Sequence, residues 1–233
     1  MSETPRRHRR SEAFFGRRKT RGLSDRKAEL SQTLLPRLLI DASRPIDDPR
    51  ALFSRPVRAI HVEIGFGAGE HLLHRVQGEP EVGFIGIEPF VNGMAQLLAH
   101  ADGRDLGNLR LYDEDAVELL DALPASSVER VDLLYPDPWP KRKHWKRRFV
   151  GDRNIKRIAR VLSDGGEFRF ASDIPSYVDW TLHHASRHGG LDWTARRAPD
   201  WNEPWAGWIR TRYEAKAVRE GRTPCYLRFR RSA

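Results

Sequence analysis

A chain of 233 residues, of which 39% are hydrophobic, is long enough to form one α/β domain with a sizeable core. No apolar run approaches the roughly 18 residues of a membrane-spanning helix, and the single cysteine, Cys225, excludes an intramolecular disulfide. The chain starts without an apolar signal segment, so we expect a cytoplasmic protein with no membrane partner. Import into an organelle is the alternative, because an arginine-rich start resembles a transit peptide.

The positive charge of the sequence is concentrated in two segments. The formal net charge is +9; residues 1–22 contain eight Lys or Arg against two Glu, and residues 141–148 contain six further cations. A nearly neutral body with two basic segments indicates a polyanion partner bound at defined places, since a solvated surface intersperses the two signs. The alternative is a solubility tail plus a solvated loop. Residues 1–22 hold few apolar side chains, so we expect a disordered basic arm.

The rest of the sequence alternates short apolar strands with helical segments. Residues 23–56 are predicted as a helical lead-in and connector, interrupted at Pro36, and residues 57–233 as the main domain. Strands are predicted at 59–64, 82–87, 109–112, 131–134 and 167–171, with two further candidates at 192–195 and 225–229. Helices are predicted between them at 72–76, 91–101, 116–123 and 155–162. This order predicts an α/β fold: a doubly wound, mostly parallel seven-stranded sheet with helices on both faces, whose ligands bind beyond the carboxyl ends of the strands.

A glycine-rich loop follows the first predicted strand. Residues 63–69 read E-I-G-F-G-A-G where a helix is expected to begin, and the glycines let a ligand approach the backbone. The spacing is not that of a pyrophosphate-binding loop, and no Lys-Ser/Thr pair follows, so Glu63, Gly65 and Gly67 indicate a nucleotide-like cofactor site. Taken alone the motif is weak, because glycine turns commonly follow strands.

Acidic residues follow the next two predicted strands. Glu88 stands 19 residues after Gly69 at the end of the second strand, where a carboxylate can accept both ribose hydroxyls of a nucleoside. Asp115 follows the third strand and precedes a helix. Two interpretations of Asp115 remain open: it caps that helix, or it receives the amino group of an adenine.

A stiff turn with an acidic residue follows the fourth predicted strand. Residues 135–140 read Y-P-D-P-W-P, and the prolines on both sides of Asp137 restrict the backbone so that the direction of this carboxylate is nearly fixed. Six cations follow within eight residues. This combination favours a functional site in which a carboxylate of fixed orientation lies beside a bound polyanion. The alternative is that Pro-Asp-Pro only ends a strand.

Together these features resemble the class I S-adenosylmethionine-dependent methyltransferases. The segment 136–141, with His144 and the basic residues 146–148, is similar to the signature of the bacterial tRNA (guanine-N7)-methyltransferases. The similarity continues through Ala171-Ser172-Asp173 and through residues 211–214 (T-R-Y-E), and it spans roughly residues 14 to 230. One departure is Tyr213, where the family more often has Phe; the added hydroxyl leaves the stacking face of the ring intact.

The resemblance implies a Rossmann-like fold and methyl transfer from S-adenosyl-L-methionine to N7 of guanine in tRNA, at guanine 46 of the variable loop. It implies that Asp137 is the catalytic residue. The implied cofactor-binding residues are Glu63, Gly65, Gly67, Glu88, Asp115 and Asp137. The implied substrate-binding residues are Lys141, Asp173, Thr211, Arg212, Tyr213 and Glu214. The remaining residues of the basic run are predicted to contact RNA phosphates and bases: Lys143, His144, Trp145, Lys146, Arg147 and Arg148.

Several alternatives accompany this interpretation. A methyltransferase acting on a protein or small-molecule nitrogen would keep the glycine loop but have no use for the cations, and a catalytically silent RNA-binding protein would not need Glu63, Glu88 and Asp137 together. No metal is predicted, because His184 and His188 lack a carboxylate triad or a cysteine set nearby. The tryptophans at 201, 205 and 208 form either a substrate lid or core packing. A monomer is expected, with a homodimer as the alternative.

Overall fold

One seven-stranded sheet forms the centre of the computed structural model, which describes residues 15–16, 18–20 and 22–232. The strand order is β3-β2-β1-β4-β5-β7-β6; the first five pair in parallel, and β7 is antiparallel to both of its neighbours. The strands are β1 (Ala59–Ile64), β2 (Val82–Ile87), β3 (Leu109–Tyr112), β4 (Val128–Leu134), β5 (Leu162–Ser172), β6 (Leu191–Trp193) and β7 (Cys225–Arg231). The strand order reverses between β1 and β4, so the predicted doubly wound sheet is confirmed.

The helices lie before, between and after the strands. They are α1 (Asp25–Thr33), α2 (Leu35–Leu38), α3 (Glu70–Gly78), α4 (Val91–Ala101), α5 (Ala116–Ala122), α6 (Asp152–Val161), α7 (Pro175–His188), α8 (Pro199–Asn202) and α9 (Arg212–Arg219). Two short 3₁₀ helices cover Pro49–Leu52 and Arg142–Arg147. None of the helices in the described ranges combines the length and the apolar character that crossing a membrane requires.

Much of the predicted arm of residues 1–22 lies outside the described residues. The described part runs along the start of α4: the Arg18 carbonyl accepts from the Val91 N–H at 2.8 Å, and the Thr20 N–H donates to Asn92 Oδ1 at 3.0 Å. The Arg18 guanidinium also pairs with Glu114, in the loop between β3 and α5, at 2.6 Å. Residues 18–20 therefore lie beside the carboxyl ends of β2 and β3.

The two faces of the sheet carry different side chains. One face is apolar along its whole width, where Val62, Val131 and Phe170 pack under α5, α6 and α7. The other face is apolar only over β2 and β3, where α3 and α4 pack with the help of α1 and α2. Over β1, β4 and β5 this second face carries ionisable residues instead: His61, Arg130, Asp132, Glu167 and Arg169. We call these five residues the charged patch.

The charged patch explains where the predicted strand bounds differ from the structure. The first three strands are mostly apolar and almost wholly buried, and their predicted bounds match those observed. The strands β4 and β5 begin earlier than predicted, at Val128 and Leu162, because after one apolar residue each continues with consecutive polar residues or glycines, at 129–130 and 163–167. Backbone pairing continues there although the apolar run does not.

Candidate active site

The glycine loop adopts the backbone conformation that its sequence predicts. Gly65, Gly67 and Gly69 have φ values of +72°, +62° and +80°, a left-handed region that side chains with a Cβ rarely adopt. Gly65 also joins the sheet, because its N–H donates to the Ile87 carbonyl at 2.7 Å. The loop thus turns sharply from β1 into α3 and leaves backbone exposed to the cleft above the sheet.

Glu88 ties this loop to the start of α4. Its side chain is buried, and its two carboxylate oxygens accept from the Gly67 N–H at 2.7 Å and from the Phe90 N–H at 3.0 Å. Burial raises the pKa of Glu88 to about 7, and the two backbone hydrogen bonds oppose the shift without cancelling it. A carboxylate offers about four lone-pair sites. Both oxygens of Glu88 can therefore accept a further donor from the cleft.

Glu63 forms a buried pair that the sequence did not reveal. Its Oε2 lies 2.8 Å from Nδ1 of His71, the second residue of α3, and the imidazole packs against Trp208 with ring centroids 5.3 Å apart. Burial alone lowers the pKa of His71, but the neighbouring Glu63 carboxylate outweighs burial and raises it. Glu63 lines a cleft together with Gly65, Leu134 and Thr211. No sequence motif marks His71; only the position directly after the glycine loop could have drawn attention to it.

Asp115 acts as the N-cap of α5. Its carboxylate accepts from the Val117 N–H at 3.0 Å, the usual geometry of an aspartate N-cap. Of the two interpretations left open by the sequence, helix capping is therefore the one that describes the contact of Asp115 within the chain. Asp115 still lies at the carboxyl end of β3, next to the strand end that carries Glu88.

The turn that carries Asp137 is strained at both ends. Tyr135 has φ +50° and Trp139 has φ +42°, and neither is a glycine. Such conformations cost on the order of 1–3 kcal/mol each and persist only where surrounding contacts impose them. The Tyr135 N–H donates to the Ala171 carbonyl at 2.8 Å, which fixes the start of the turn to the end of β5.

Asp137 lies close enough to Glu88 for the two carboxylates to influence each other. Its side chain is open to solvent, yet the neighbouring turn displaces enough water to raise the pKa of the carboxyl above its ordinary value. The charge of Asp137 also contributes to the upward pKa shift of Glu88, whereas the charge of Arg212 opposes it. Asp137 and Arg212 therefore lie near enough to Glu88 for their charges to act on it.

The basic run forms a short 3₁₀ helix that displays its lysines. Lys141, Lys143 and Lys146 are exposed. His144 packs edge-on against Trp139 with ring centroids 5.9 Å apart, and Trp145 packs in the same way against Trp180 at 5.6 Å. The half-buried Arg147 lies over the rings of Trp139 and Phe15, at 4.9 and 5.5 Å from the centroids. The three lysines and Arg142, which is also exposed, are the cations that a polyanion reaches first.

The structure does not support the predicted RNA contact of Arg148. The residue is buried, and its guanidinium donates to the Pro138 carbonyl at 3.0 Å, to the Ser176 carbonyl at 2.7 Å and to Ser176 Oγ at 3.0 Å. It also stacks on Trp145 at 4.5 Å and on Tyr177 at 4.7 Å. Because these donors are taken inside the protein, Arg148 fastens the Asp137 turn to α7 instead of facing a ligand.

The predicted substrate residues at 211–214 divide into two roles. Thr211 caps α9 by accepting from the Glu214 N–H at 3.1 Å, and Glu214 is buried, accepting from Trp208 Nε1 and from the Tyr226 hydroxyl at 2.7 Å each. Arg212 and Tyr213 are exposed and lie over the glycine loop; a Cβ placed on Gly67 would be 3.3 Å from the Tyr213 ring. Thr211 and Glu214 thus hold Arg212 and Tyr213 against the cleft.

Packing explains the positions of two of the tryptophans, and an ion pair holds Asp173. Trp205 and Trp208 pack edge-on against each other and against Tyr226, so the core interpretation of these tryptophans holds for both. Asp173, at the end of β5, is half-buried and ion-paired with Arg222. Among the described residues, no group of three or more His, Cys, Asp or Glu is arranged to hold a metal ion.

Comparison with known proteins agrees with this geometry. Residues 57–227 match the model of a family described as putative methyltransferase. A protein of Rhizobium meliloti (strain 1021) named tRNA (guanine-N(7)-)-methyltransferase is 58% identical over 233 residues, which is 100% of each chain. A protein of Agrobacterium fabrum with the same name is 59% identical over 225 residues, 96% of this chain and 97% of that protein.

Solved structures with low sequence identity support the fold. A 16S rRNA methyltransferase, KamB, superposes with a TM-score of 0.58 at 17% identity, covering 83% of this chain and 99% of that one. The matched family model, the extent of the sequence identity and the doubly wound sheet agree with one another. The chain belongs to the tRNA (guanine-N(7)-)-methyltransferase family.

Proposed function

We propose that this chain transfers the methyl group of S-adenosyl-L-methionine to N7 of a guanine in tRNA, forming 7-methylguanosine. The observation that carries the proposal is the position of Asp137, on a strained turn near Glu88, which holds the glycine loop, and directly before the exposed lysines. The names of the relatives, 58% and 59% identical over nearly the whole chain, support the same reaction.

The residues around the cleft fit S-adenosyl-L-methionine. The carboxylate of Glu88 has free lone pairs for two ribose hydroxyls after it accepts from Gly67 and Phe90. The left-handed glycines let the cofactor approach the backbone, with Glu63 below them and Asp115 at the neighbouring strand end. When bound, this cofactor supplies an electrophilic methyl group on a positively charged sulfur.

Asp137 acts as an anchor and countercharge in this proposal. Guanine N7 has a lone pair and no proton to lose, so the reaction requires alignment of the acceptor more than a general base. The carboxylate of Asp137 accepts from the N–H groups of the guanine and opposes the positive charge that develops on the purine. Its strained turn holds this orientation before substrate binds.

The tRNA lies over the lysines and over residues 211–213 in this proposal. Lys141, Lys143 and Lys146 neutralise phosphates, Tyr213 offers an exposed ring for stacking, and Arg212 lies between the glycine loop and solvent. The finer assignments follow the family resemblance: guanine 46 of the variable loop as acceptor, a catalytic domain over residues 57–233, and a cytoplasmic monomer. Asp173 contributes to substrate binding indirectly, because its ion pair with Arg222 fixes the segment that follows α9.

The test is to map the modified base. Unmodified tRNA transcripts are incubated with the full-length protein and methyl-labelled S-adenosyl-L-methionine, and the product is digested and analysed by mass spectrometry and by strand cleavage at 7-methylguanosine. We expect one labelled guanine in the variable loop, and an initial rate of labelling about 10² to 10³ lower with Asp137→Asn at the same protein concentration. Label on another atom or another base would refute the assignment to N7, and an unlabelled tRNA would refute the substrate.

A further inference from the structure

The charged patch is unusual for the centre of a doubly wound sheet. Strands in this position normally bury apolar residues on both faces. Here two rows of neighbouring residues run across four strands of the described sheet: Glu63, Asp132, Arg169 and Arg228 in one row, and His61, Arg130, Glu167 and Arg230 in the other. The sheet does not need charged residues at these positions in order to fold, so they need a separate explanation.

A cavity opens over this patch. Its lining includes Arg75 of α3, the sheet residues Arg130 and Arg169, Glu79, and the segment 205–207 at its mouth. Three guanidinium groups thus face one opening that holds a single carboxylate among its lining residues. This segment at the mouth leads within a few residues to Thr211 and Tyr213 of the cleft.

Two of the three arginines already have partners. Arg75 donates to Glu79 at 2.6 Å and contacts Asp132 at 3.4 Å and His61 at 3.0 Å. Arg169 donates twice to Glu167, at 2.9 and 2.7 Å, and its guanidinium lies 5.0 Å from the centre of the Trp205 ring. These two side chains are therefore held rigidly at the walls of the cavity.

Arg130 differs from its neighbours. Within the part of the chain that the structure describes, its guanidinium makes no hydrogen bond, its nearest carboxylate is Glu167 at 4.0 Å, and its Nε is buried without a partner. The side chain is 18% exposed, so part of the guanidinium still reaches the cavity. A mostly buried guanidinium without hydrogen bonds is costly, and a planar fork of donors binds an oxyanion with two parallel bonds.

The neighbouring titratable groups indicate a positive potential at this place. Burial, together with the charges of Arg130, Arg75 and Arg169, lowers the pKa of His61 to about 2. Burial also lowers the pKa of Arg130, and the charges of Arg169 and Arg75 act in the same direction, while Asp132 and Glu167 act against them. Of the three nearby carboxylates, Glu79, Asp132 and Glu167, only Glu79 is among the residues that line the cavity.

We infer that this cavity binds a phosphate group of the RNA substrate, with Arg130 as its fork and Arg75 and Arg169 as its walls. The inference rests on the proposed tRNA substrate. Arg130 precedes Leu134 by four residues, which is about 13 Å along β4 from the strand end where the Asp137 turn begins. That distance suits an RNA strand that places one base in the cleft and a backbone phosphate in the cavity. A free phosphate compound presents the same chemistry, so the test separates the two sources.

The first arm of the test uses inorganic phosphate and full-length protein. The midpoint of thermal unfolding, Tm, is measured against phosphate concentration at constant ionic strength, with chloride as the reference salt. We expect Tm to rise with phosphate for the wild type and not for Arg130→Gln, because a ligand that binds the native state stabilises it. Arg58→Gln is the matched control, since Arg58 is 55% exposed and pairs with Glu81 and Glu129 outside the cavity. The control should respond to phosphate as the wild type does.

The second arm measures tRNA affinity as a function of salt. For Arg130→Gln we expect affinity to fall by about tenfold, the scale of one charge-assisted hydrogen bond, and the slope of log K against log salt to decrease by about 0.7–0.9. If Arg130→Gln does not fold, Arg130→Lys keeps the charge but not the fork, and its phosphate response should weaken while the salt slope stays near that of the wild type.

The outcomes are distinguishable. Loss of the phosphate response together with unchanged tRNA binding in Arg130→Gln would overturn the RNA assignment and identify a free phosphate compound as the ligand. Equal responses of the wild type and Arg130→Gln to phosphate, with equal salt slopes, would overturn the site altogether. Failure of the wild type to methylate tRNA would refute the proposed function and leave the phosphate response of the cavity as a separate result.

Discussion

Replacing Arg148 with alanine tests whether this cation holds the protein together or holds RNA. Its position in a run of six cations predicted an RNA contact, whereas the structure buries it between the Asp137 turn and α7. We expect Arg148→Ala to lower the free energy of unfolding strongly while leaving the salt dependence of tRNA binding unchanged. The exposed Lys143 of the same 3₁₀ helix is the matched control, for which the opposite pattern is expected.

The magnitude follows from the contacts that the change removes. Three hydrogen bonds from a charged donor disappear, at 2.7, 3.0 and 3.0 Å, and the carbonyls of the half-buried Pro138 and Ser176 lose this partner. A hydrogen bond to a charged group contributes about 1.5–3 kcal/mol, and the contributions of one side chain do not add fully. A loss of about 3 kcal/mol is therefore expected, which is roughly 6–12 °C in Tm for a domain of this size.

Thermal unfolding and tRNA titration together decide the question. Both variants are melted without ligand, and tRNA affinity is then measured over a range of salt at a temperature where each is folded. Lys143→Ala should keep the wild-type Tm and lower the salt slope by about 0.7–0.9. If Arg148→Ala melts within about one degree of the wild type and loses the same amount of slope, Arg148 contacts RNA and its structural assignment is wrong.

Three further predictions concern the cleft. Because the pKa of Glu88 is raised to about 7 and hydroxyl donors favour its ionised form, affinity for S-adenosyl-L-methionine should increase with pH up to about 7. Calorimetry of Glu88→Gln should show weaker binding without this pH dependence. The same pKa shift should make the wild-type fold lose stability as pH rises from the ordinary glutamate range to about 7, since the native state holds the proton longer. Asp137→Asn should lower kcat by about 10² to 10³ with little change in cofactor affinity, and near-wild-type turnover at saturating tRNA would leave Asp137 with only a structural role. Gly67→Ala, where φ is +62° and the new Cβ would lie 3.3 Å from the Tyr213 ring, should lower both Tm and cofactor affinity. The control Gly221→Ala, with φ +73° and open space around the new Cβ, should lower Tm alone. Equal cofactor affinities of the two variants would contradict a close approach of the cofactor to Gly67.

The parts of the fold that were predictable are those where local chemistry and tertiary position agree. The bounds of β1, β2 and β3 follow from apolar runs that end at glycine or acidic residues. The early parts of β4 and β5, before Val131 and Glu167, were missed because they hold polar residues and glycines whose backbone pairs only across the sheet, and no one-dimensional pattern records such pairing.

The candidate site shows the same division. The positive φ values at the glycine loop follow directly from the residue type, and so does the N-cap at Asp115. The burial of Arg148 and Glu214 was not predictable, because charged residues carry no local sign of whether solvent or a buried acceptor will satisfy them. The pairing of His71 with Glu63 depends on how α3 packs above β1, which the spacing of the residues does not reveal.

The two left-handed residues beside Asp137 place a limit on how this protein can be made more heat-resistant. Together Tyr135 and Trp139 hold about 2–6 kcal/mol of backbone strain, a considerable part of the 5–15 kcal/mol by which a typical domain is stable. A glycine at either position would release some of that strain and raise Tm. It would also free the direction of the carboxylate between them. Directed evolution that selects only for survival after heating should therefore accumulate changes in this turn and yield enzymes that last longer and turn over more slowly.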